Sequence, residues 1–184
     1  FGTESKLDLV IQNPIMNPST IYGITKLTGE KLIEYYFNRF GLDIRSLRYP
    51  GIVSVDTVPG GGTTDYIIDM INAAKKGNNY TCFLDKNTEL PMMYIDDAIS
   101  SAITLMSTKR INLSILGSYN ITGFSITPKK LLNEIKSNGF NLKVNYKPDF
   151  RQKIANSWPK KIDDSFSRKD WGWNPKFGLK ETIR

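Results

Sequence analysis

A chain of 184 residues, 40% hydrophobic and 23% charged, has the composition of a globular domain and excludes a disordered or fibrous protein. Its formal net charge is +7, yet basic and acidic residues interleave, as in RQKIANSWPKKIDDSFSRKD (151–170). No nucleic-acid partner is therefore expected, and a groove for phosphates or an anionic cofactor accounts for the balance. The absence of histidine and a single cysteine, Cys82, argue against a zinc site and a disulfide framework. No apolar run reaches the ~18 residues of a membrane span, so no membrane partner is expected.

The first 18 residues read as loop, with Pro14 and Pro18 as breakers. Ser19 or Thr20 is placed to cap a helix that runs to about Phe40 and stops at Gly41 in the C′ position. Its apolar residues form two stripes, one of Tyr22, Gly29, Ile33, Tyr36 and Phe40, the other of Ile24, Leu27, Leu32 and Tyr35. A helix apolar on two faces is expected to pack on both, against a sheet and against a second subunit. LDIRSLRY (42–49) reads as a strand ending at Pro50-Gly51. A long helix followed by a strand suggests half of a βαβ crossover, hence a parallel sheet.

PGGGTT (59–64) reads as a flexible loop before a helix from about Thr64 to Lys76. YTCFL (80–84) and LPMMYI (90–95) read as strands, with Cys82 a small hydrophobe in the first. Asp96 or Asp97 is expected to cap a helix to about Ser107. SYNIT (118–122) reads as a strand, Thr127-Pro128 opens a helix that Gly139 stops, and NLKVNY (141–146) alternates as a strand. Leu179 begins a last helix. There is no internal repeat and no low-complexity block.

Within the first helix, Tyr22 and Lys26 stand four residues apart in TIYGITK (20–26). Residues at i and i+4 sit one above the other on a helix, roughly 5–6 Å apart at Cβ. An ammonium that close to a phenol favours the phenolate, so the pair can exchange a proton with an alcohol or carbonyl in a protein without histidine. Other helices carry YxxxK with no such role, so the surroundings must decide. One signal is missing. A dinucleotide-binding α/β domain carries a glycine-rich turn after its first strand. PGGG follows no buried strand and has the wrong spacing, so such a turn is expected upstream of Phe1.

TIYGITKLTGE (20–30), GLDIRSLRYPGIVS (41–54), PGGGTTDY (59–66), LPMMYIDDA (90–98), YNIT (119–122) and SWPKKIDDSFSRKDWGW (157–173), in this order and spacing, resemble the L-threonine 3-dehydrogenases of the extended short-chain dehydrogenase type. That family is similar to the UDP-galactose 4-epimerases. The resemblance implies an α/β fold: the C-terminal part of a Rossmann-like doubly wound parallel sheet in residues 1–53, and a smaller α/β substrate-binding lobe in 54–184 from which some segments return to the sheet. It implies NAD-dependent oxidation of L-threonine to 2-amino-3-oxobutyrate, with Tyr22 as general base touching both substrate and cofactor, and Lys26 gripping the cofactor ribose while keeping the phenol acidic.

The same resemblance gives Tyr49, Pro50, Gly51 and Ile52 to the nicotinamide, and Gly61, Gly62, Thr63 and Thr64 to a substrate loop whose amides and hydroxyls take a carboxylate. It gives Trp158 the role of a lid over the threonine side chain. Asp65 reads as a first-turn acid, Met92 and Met93 either fill the core or line the pocket, and Trp171 and Trp173 pack. The family's third catalytic residue, a Ser or Thr, and its glycine-rich turn would precede Phe1, so the 184-residue chain by itself is expected to be inactive. A homodimer through the helix at 20–40 is implied, in the cytoplasm, or in mitochondria if the source is a eukaryote. The competing readings are a nucleotide-sugar epimerase or dehydratase, which would need basic residues downstream to bind diphosphate, and a non-catalytic piece that serves association alone.

Overall fold

The computed structural model describes residues 8–54 and 60–183. Residues 1–7 of the expected N-terminal loop and Pro59 of the expected glycine loop lie outside the described residues. Helix α1 (Ile21–Phe40) starts where Thr20 accepts the Gly23 N–H at 3.1 Å. It ends at Gly41, whose φ of 69° suits a residue without Cβ and lets its N–H return to the Phe37 carbonyl. The chain continues through β1 (Ser46–Arg48), β2 (Gly51–Val53), α2 (Tyr66–Lys75), β3 (Tyr80–Cys82), β4 (Leu90–Tyr94) and α3 (Ile95–Ser107). It then forms β5 (Ser118–Asn120), β6 (Phe124–Ile126), α4 (Pro128–Ser137), β7 (Val144–Tyr146), α5 (Phe150–Asn156), α6 (Ser165–Trp171) and α7 (Leu179–Ile183).

The fold is α/β with parallel pairing predominant. β1 pairs parallel to β5, β2 parallel to β4, and β3 parallel to β7, while β6 runs antiparallel on the other edge of β4. The crossovers that parallel pairing requires are supplied by the helices between the strands.

Two apolar cores flank β4. Leu90 and Met92 point into one, built with Tyr66, Ile67, Met70 and Ile71 of α2, Leu131 and Ile135 of α4, and Ile183. Met93, on the opposite face of the pleat, enters the other with Ala98, Leu105, Tyr119, Trp171 and Trp173. Both methionines are wholly buried, so they fill the core. Trp171 and Trp173 pack as expected, and Cys82 is a buried free thiol in β3.

The structure departs from the sequence expectations in several places. The expected strands shrink to three to five residues because a ladder persists only where a partner strand is in register. β2, β6, α5 and α6 lacked a sequence signal. Asp149 caps α5 by accepting the Arg151 N–H at 2.8 Å. Neither aspartate of IDDA caps α3, whose boundary residue is Tyr94. Asp97 is instead buried and accepts the backbone N–H groups of Lys176 and Phe177. Within this one chain no residue of α1 is fully buried. Its half-buried stripe is Leu27, Glu30, Ile33 and Phe37, drawn from both expected apolar stripes, while Tyr36 and Phe40 are exposed.

Candidate active site

The N-terminal half of α1 forms one wall of an open cleft of about 730 Å³. Tyr22, Gly23, Lys26 and Glu30 line it from α1; Arg48, Tyr49, Pro50 and Gly51 line it from the end of β1 through the start of β2; and Ser157, Trp158 and Pro159 from the loop after α5. Met16, Pro18 and Pro91 add apolar surface. The fold thus brings Tyr22, Lys26, Tyr49, Pro50, Gly51 and Trp158 together from segments more than a hundred residues apart.

Lys26 Nζ lies 5.4 Å from the centroid of the Tyr22 ring, within cation–π range. This is the juxtaposition that the i,i+4 spacing predicts. Among the described residues the Lys26 ammonium takes part in none of the ion pairs, and Tyr22 is largely exposed to the cleft. Gly23 has a local reason: a Cβ there would meet Pro18 Cβ at 2.6 Å, so glycine lets the entering chain fold back over the first turn.

Tyr49 lines the cleft, and its phenol donates to the Ala98 carbonyl of α3 at 2.9 Å. Gly51 leaves room for its neighbours: a Cβ would stand 2.7 Å from both the Thr64 methyl and the Met92 sulfur. Ile52 is not among the lining residues; it lies in β2 beside Met93.

Gly61, Gly62, Thr63 and Thr64 likewise do not line the cleft, although the Thr64 methyl reaches Gly51 from behind. The Gly61 and Gly62 amides, expected to face a substrate carboxylate, both donate to Asp65 Oδ2 at 2.8 Å. Asp65 occupies the cap position of α2 yet makes no side-chain cap bond to the helix. Its carboxylate is spent on the glycine loop, so it is a loop clamp more than a first-turn acid. Thr63 is buried.

Beneath the cleft lies a polar network that sequence reasoning missed. Arg48 donates through Nε and Nη2 to the two oxygens of Glu30 at 2.8 and 2.7 Å, and both side chains are nearly buried. Its Nη1 donates to the Gln12 carbonyl and to Asn120 Oδ1. Buried Gln12 spans β5 like a short strand, donating to the Ser118 carbonyl and accepting the Asn120 N–H. The available sequence signal was Glu30, one turn beyond Lys26 on the same face.

The NAD dependent epimerase/dehydratase family matches residues 2–121. The chain belongs to that family. It is similar to the mitochondrial L-threonine 3-dehydrogenase of Bos taurus, 46% identical over all of this chain and 49% of the relative. Among solved structures it resembles the GalE-like L-threonine dehydrogenase from Cupriavidus necator in its holo form, with a TM-score of 0.95 and 46% identity over all of this chain and 59% of that one. It also resembles a monomeric L-threonine 3-dehydrogenase from a metagenome, with a TM-score of 0.92 and 43% identity over all of this chain and 59% of that one. The chain spans about half the length of the curated relatives it matches. Among the described residues no helix is long and apolar enough to cross a membrane, and no cluster of His, Cys, Asp or Glu could hold a metal ion.

Proposed function

We propose that the chain carries the tyrosine–lysine pair and the substrate side of an NAD-dependent L-threonine 3-dehydrogenase, which oxidises L-threonine to 2-amino-3-oxobutyrate. The observation that supports this most is the cleft itself. It joins Tyr22 and Lys26 to Tyr49, Pro50, Gly51 and Trp158. The cations lining it among the described residues are Lys26 and Arg48, and Arg48 is held in a bidentate pair by Glu30. A nucleotide-diphosphate substrate would ask for more positive charge than that, whereas a small zwitterion would not.

The residues present fit the nicotinamide end of NAD. The Lys26 ammonium is committed to no carboxylate among the described residues, and it lines the same cleft as Tyr49, Pro50 and Gly51. Lys26 and Tyr22 would hold the ribose hydroxyls, and backbone groups of Tyr49 to Ile52 the carboxamide. When bound, NAD would supply the acceptor for the hydride leaving the substrate β-carbon. Tyr22 takes the hydroxyl proton, and the Lys26 charge above its ring stabilises the phenolate that does so. Trp158 closes on the substrate methyl and excludes water. Thr63 and Thr64, with the Gly61 and Gly62 amides, receive the substrate carboxylate once Asp65 yields those amides. In this reading residues 1–53 belong to the cofactor domain and 54–184 mainly to the substrate lobe, with β5 returning to pair with β1. The protein is a homodimer through α1, and works in the cytoplasm, or in mitochondria if the source is a eukaryote.

The test is NADH formation from L-threonine by the protein expressed from its complete reading frame, beside its Tyr22→Phe variant. Turnover is expected, with a loss of about 10²-fold or more in the variant. Conversion of a UDP-sugar with no threonine oxidation would overturn the reading.

A further inference from the structure

Tyr22, Lys26 and Glu30 follow one another at i, i+4 and i+8 and all line the cleft. A lysine four residues before a glutamate ordinarily pairs with it along the helix, although this is the weaker of the two orders. Here that pair is absent: Glu30 is turned to the sheet side, where Arg48 takes both its oxygens. The Lys26 ammonium lies over the Tyr22 ring instead. Arg48 is fixed in turn by the Gln12 carbonyl and Asn120, so its guanidinium stays aimed at Glu30. The pair also joins α1, none of whose residues is fully buried, to the strand end that continues into Tyr49, Pro50 and Gly51.

We propose that Arg48 is a positioning residue for the tyrosine–lysine pair: by sequestering Glu30 it keeps the Lys26 ammonium on Tyr22 and keeps an uncompensated carboxylate away from the phenol. The proposal rests on the reading of Tyr22 as the general base. Removing the Arg48 charge exposes Glu30 to Lys26. The ammonium is then drawn away from the ring, a negative charge is left one turn further on, and both effects disfavour the phenolate. Among the described residues, the other titratable groups that line the cleft are Glu30 itself and, from the end of β1 and the turn after it, Arg48 and Tyr49. The Tyr49 phenol is already donated to the Ala98 carbonyl.

The variants that test this are Arg48→Met, Arg48→Lys and the double variant Glu30→Met with Arg48→Met, in the protein from its complete reading frame. Replacing both members of a buried ion pair by apolar residues of similar volume is often tolerated, so the double variant is expected to fold. Arg48→Gln, which keeps an amide donor without the charge, stands in if Arg48→Met does not fold. Titration of Tyr22 is followed by NMR of tyrosine labelled at 13Cζ, its resonance assigned with Tyr22→Phe.

The Tyr22 midpoint is expected to rise by about one pH unit in Arg48→Met, to stay near the wild-type value in Arg48→Lys, and to return in the double variant. The acid limb of kcat/KM for threonine oxidation follows the same order. An unmoved midpoint in Arg48→Met, or a raised one that the double variant fails to bring back, overturns the proposal. A merely structural role would lower kcat in all three without this order. If the wild type does not oxidise threonine, the functional reading fails, while the NMR midpoints still decide the inference.

Discussion

Asp97 Oδ2 lies 2.9 Å from the backbone nitrogen of Phe177, and the same carboxylate accepts the N–H of Lys176. A side chain at the third residue of α3 thereby fastens a loop 80 residues later in the sequence, and the rings of Tyr94 and Phe177 meet there at 4.8 Å. Hydrogen bonds to a charged acceptor are worth about 1.5–3 kcal/mol each. Asp97→Ala is expected to destabilise the protein by about 3 kcal/mol or more, and Asp97→Asn, which keeps one acceptor oxygen, by less. Urea unfolding followed by circular dichroism measures both; equal stabilities for the two variants would show that the carboxylate does not carry the contact.

Gly51 is a second point where the fold leaves no room. A methyl group there would have to displace the Met92 sulfur, the Met92 methyl at 2.8 Å and the Thr64 methyl. Overpacking of this kind costs about 1–3 kcal/mol. Gly51→Ala should lower the urea midpoint accordingly, and adding Thr64→Ser, which removes the opposing methyl, should recover part of the loss. A second-site change that recovers nothing would assign the strain to Met92 alone.

How much of this could be read in the sequence depends on the range of the interaction. Thr20, Gly41 and Thr127-Pro128 announce helix ends because caps are settled within four residues. Tyr22 and Lys26 are legible for the same reason, since i,i+4 geometry needs only the helix. Arg48 and Glu30 are 18 residues apart and Gln12 and Asn120 are 108 apart; their pairing exists only after β1 and β5 have met. The three-residue strands β2 and β6 are set by β4 between them, not by their own side chains. Asp65 was legible as a first-turn acid, but not as the group that occupies the amides of Gly61 and Gly62. That outcome depends on the path of the loop.

Tyr119 supplies a pH dependence. Burial first, and then its hydrogen bond to Asp170 at 2.6 Å, push its phenol up to about 12. An unfolded chain releases this proton near pH 10. Between pH 10 and 12 the folded state therefore holds a proton that the unfolded state has lost, and stability falls as pH rises, by up to about 1.4 kcal/mol per pH unit for one proton. Tyr119→Phe should be less stable at pH 8, where it lacks the bond to Asp170, and should lose stability less steeply from pH 10 upward. Parallel slopes for the two proteins in urea titrations at pH 8, 10 and 11.5 would remove Tyr119 from the alkaline transition.

Trp158 lines the cleft while remaining about one-third exposed, at 37%. Its backbone N–H, bonded to the Ala155 carbonyl, is unaffected by truncation of the ring. If the indole closes over the threonine methyl, Trp158→Ala should raise KM for L-threonine about tenfold, the worth of a modest apolar contact, with little change in thermal stability. An unchanged KM with a lowered melting temperature would make it a packing residue.

The open face of α1 carries the last expectation. Tyr35, Tyr36 and Phe40 are all exposed, and their ring centroids lie 5.6, 6.2 and 5.7 Å apart in pairs. A contiguous aromatic patch on a helix none of whose residues is fully buried is the kind of surface that a second copy covers. One solved relative is named as monomeric, so the patch and not the family has to carry the claim. Analytical ultracentrifugation of the protein from its complete reading frame should show a dimer at micromolar concentration, and Tyr36→Glu should shift it to monomer by placing a charge against its symmetry mate. A wild type that sediments only as monomer would assign these three rings to a role within one chain.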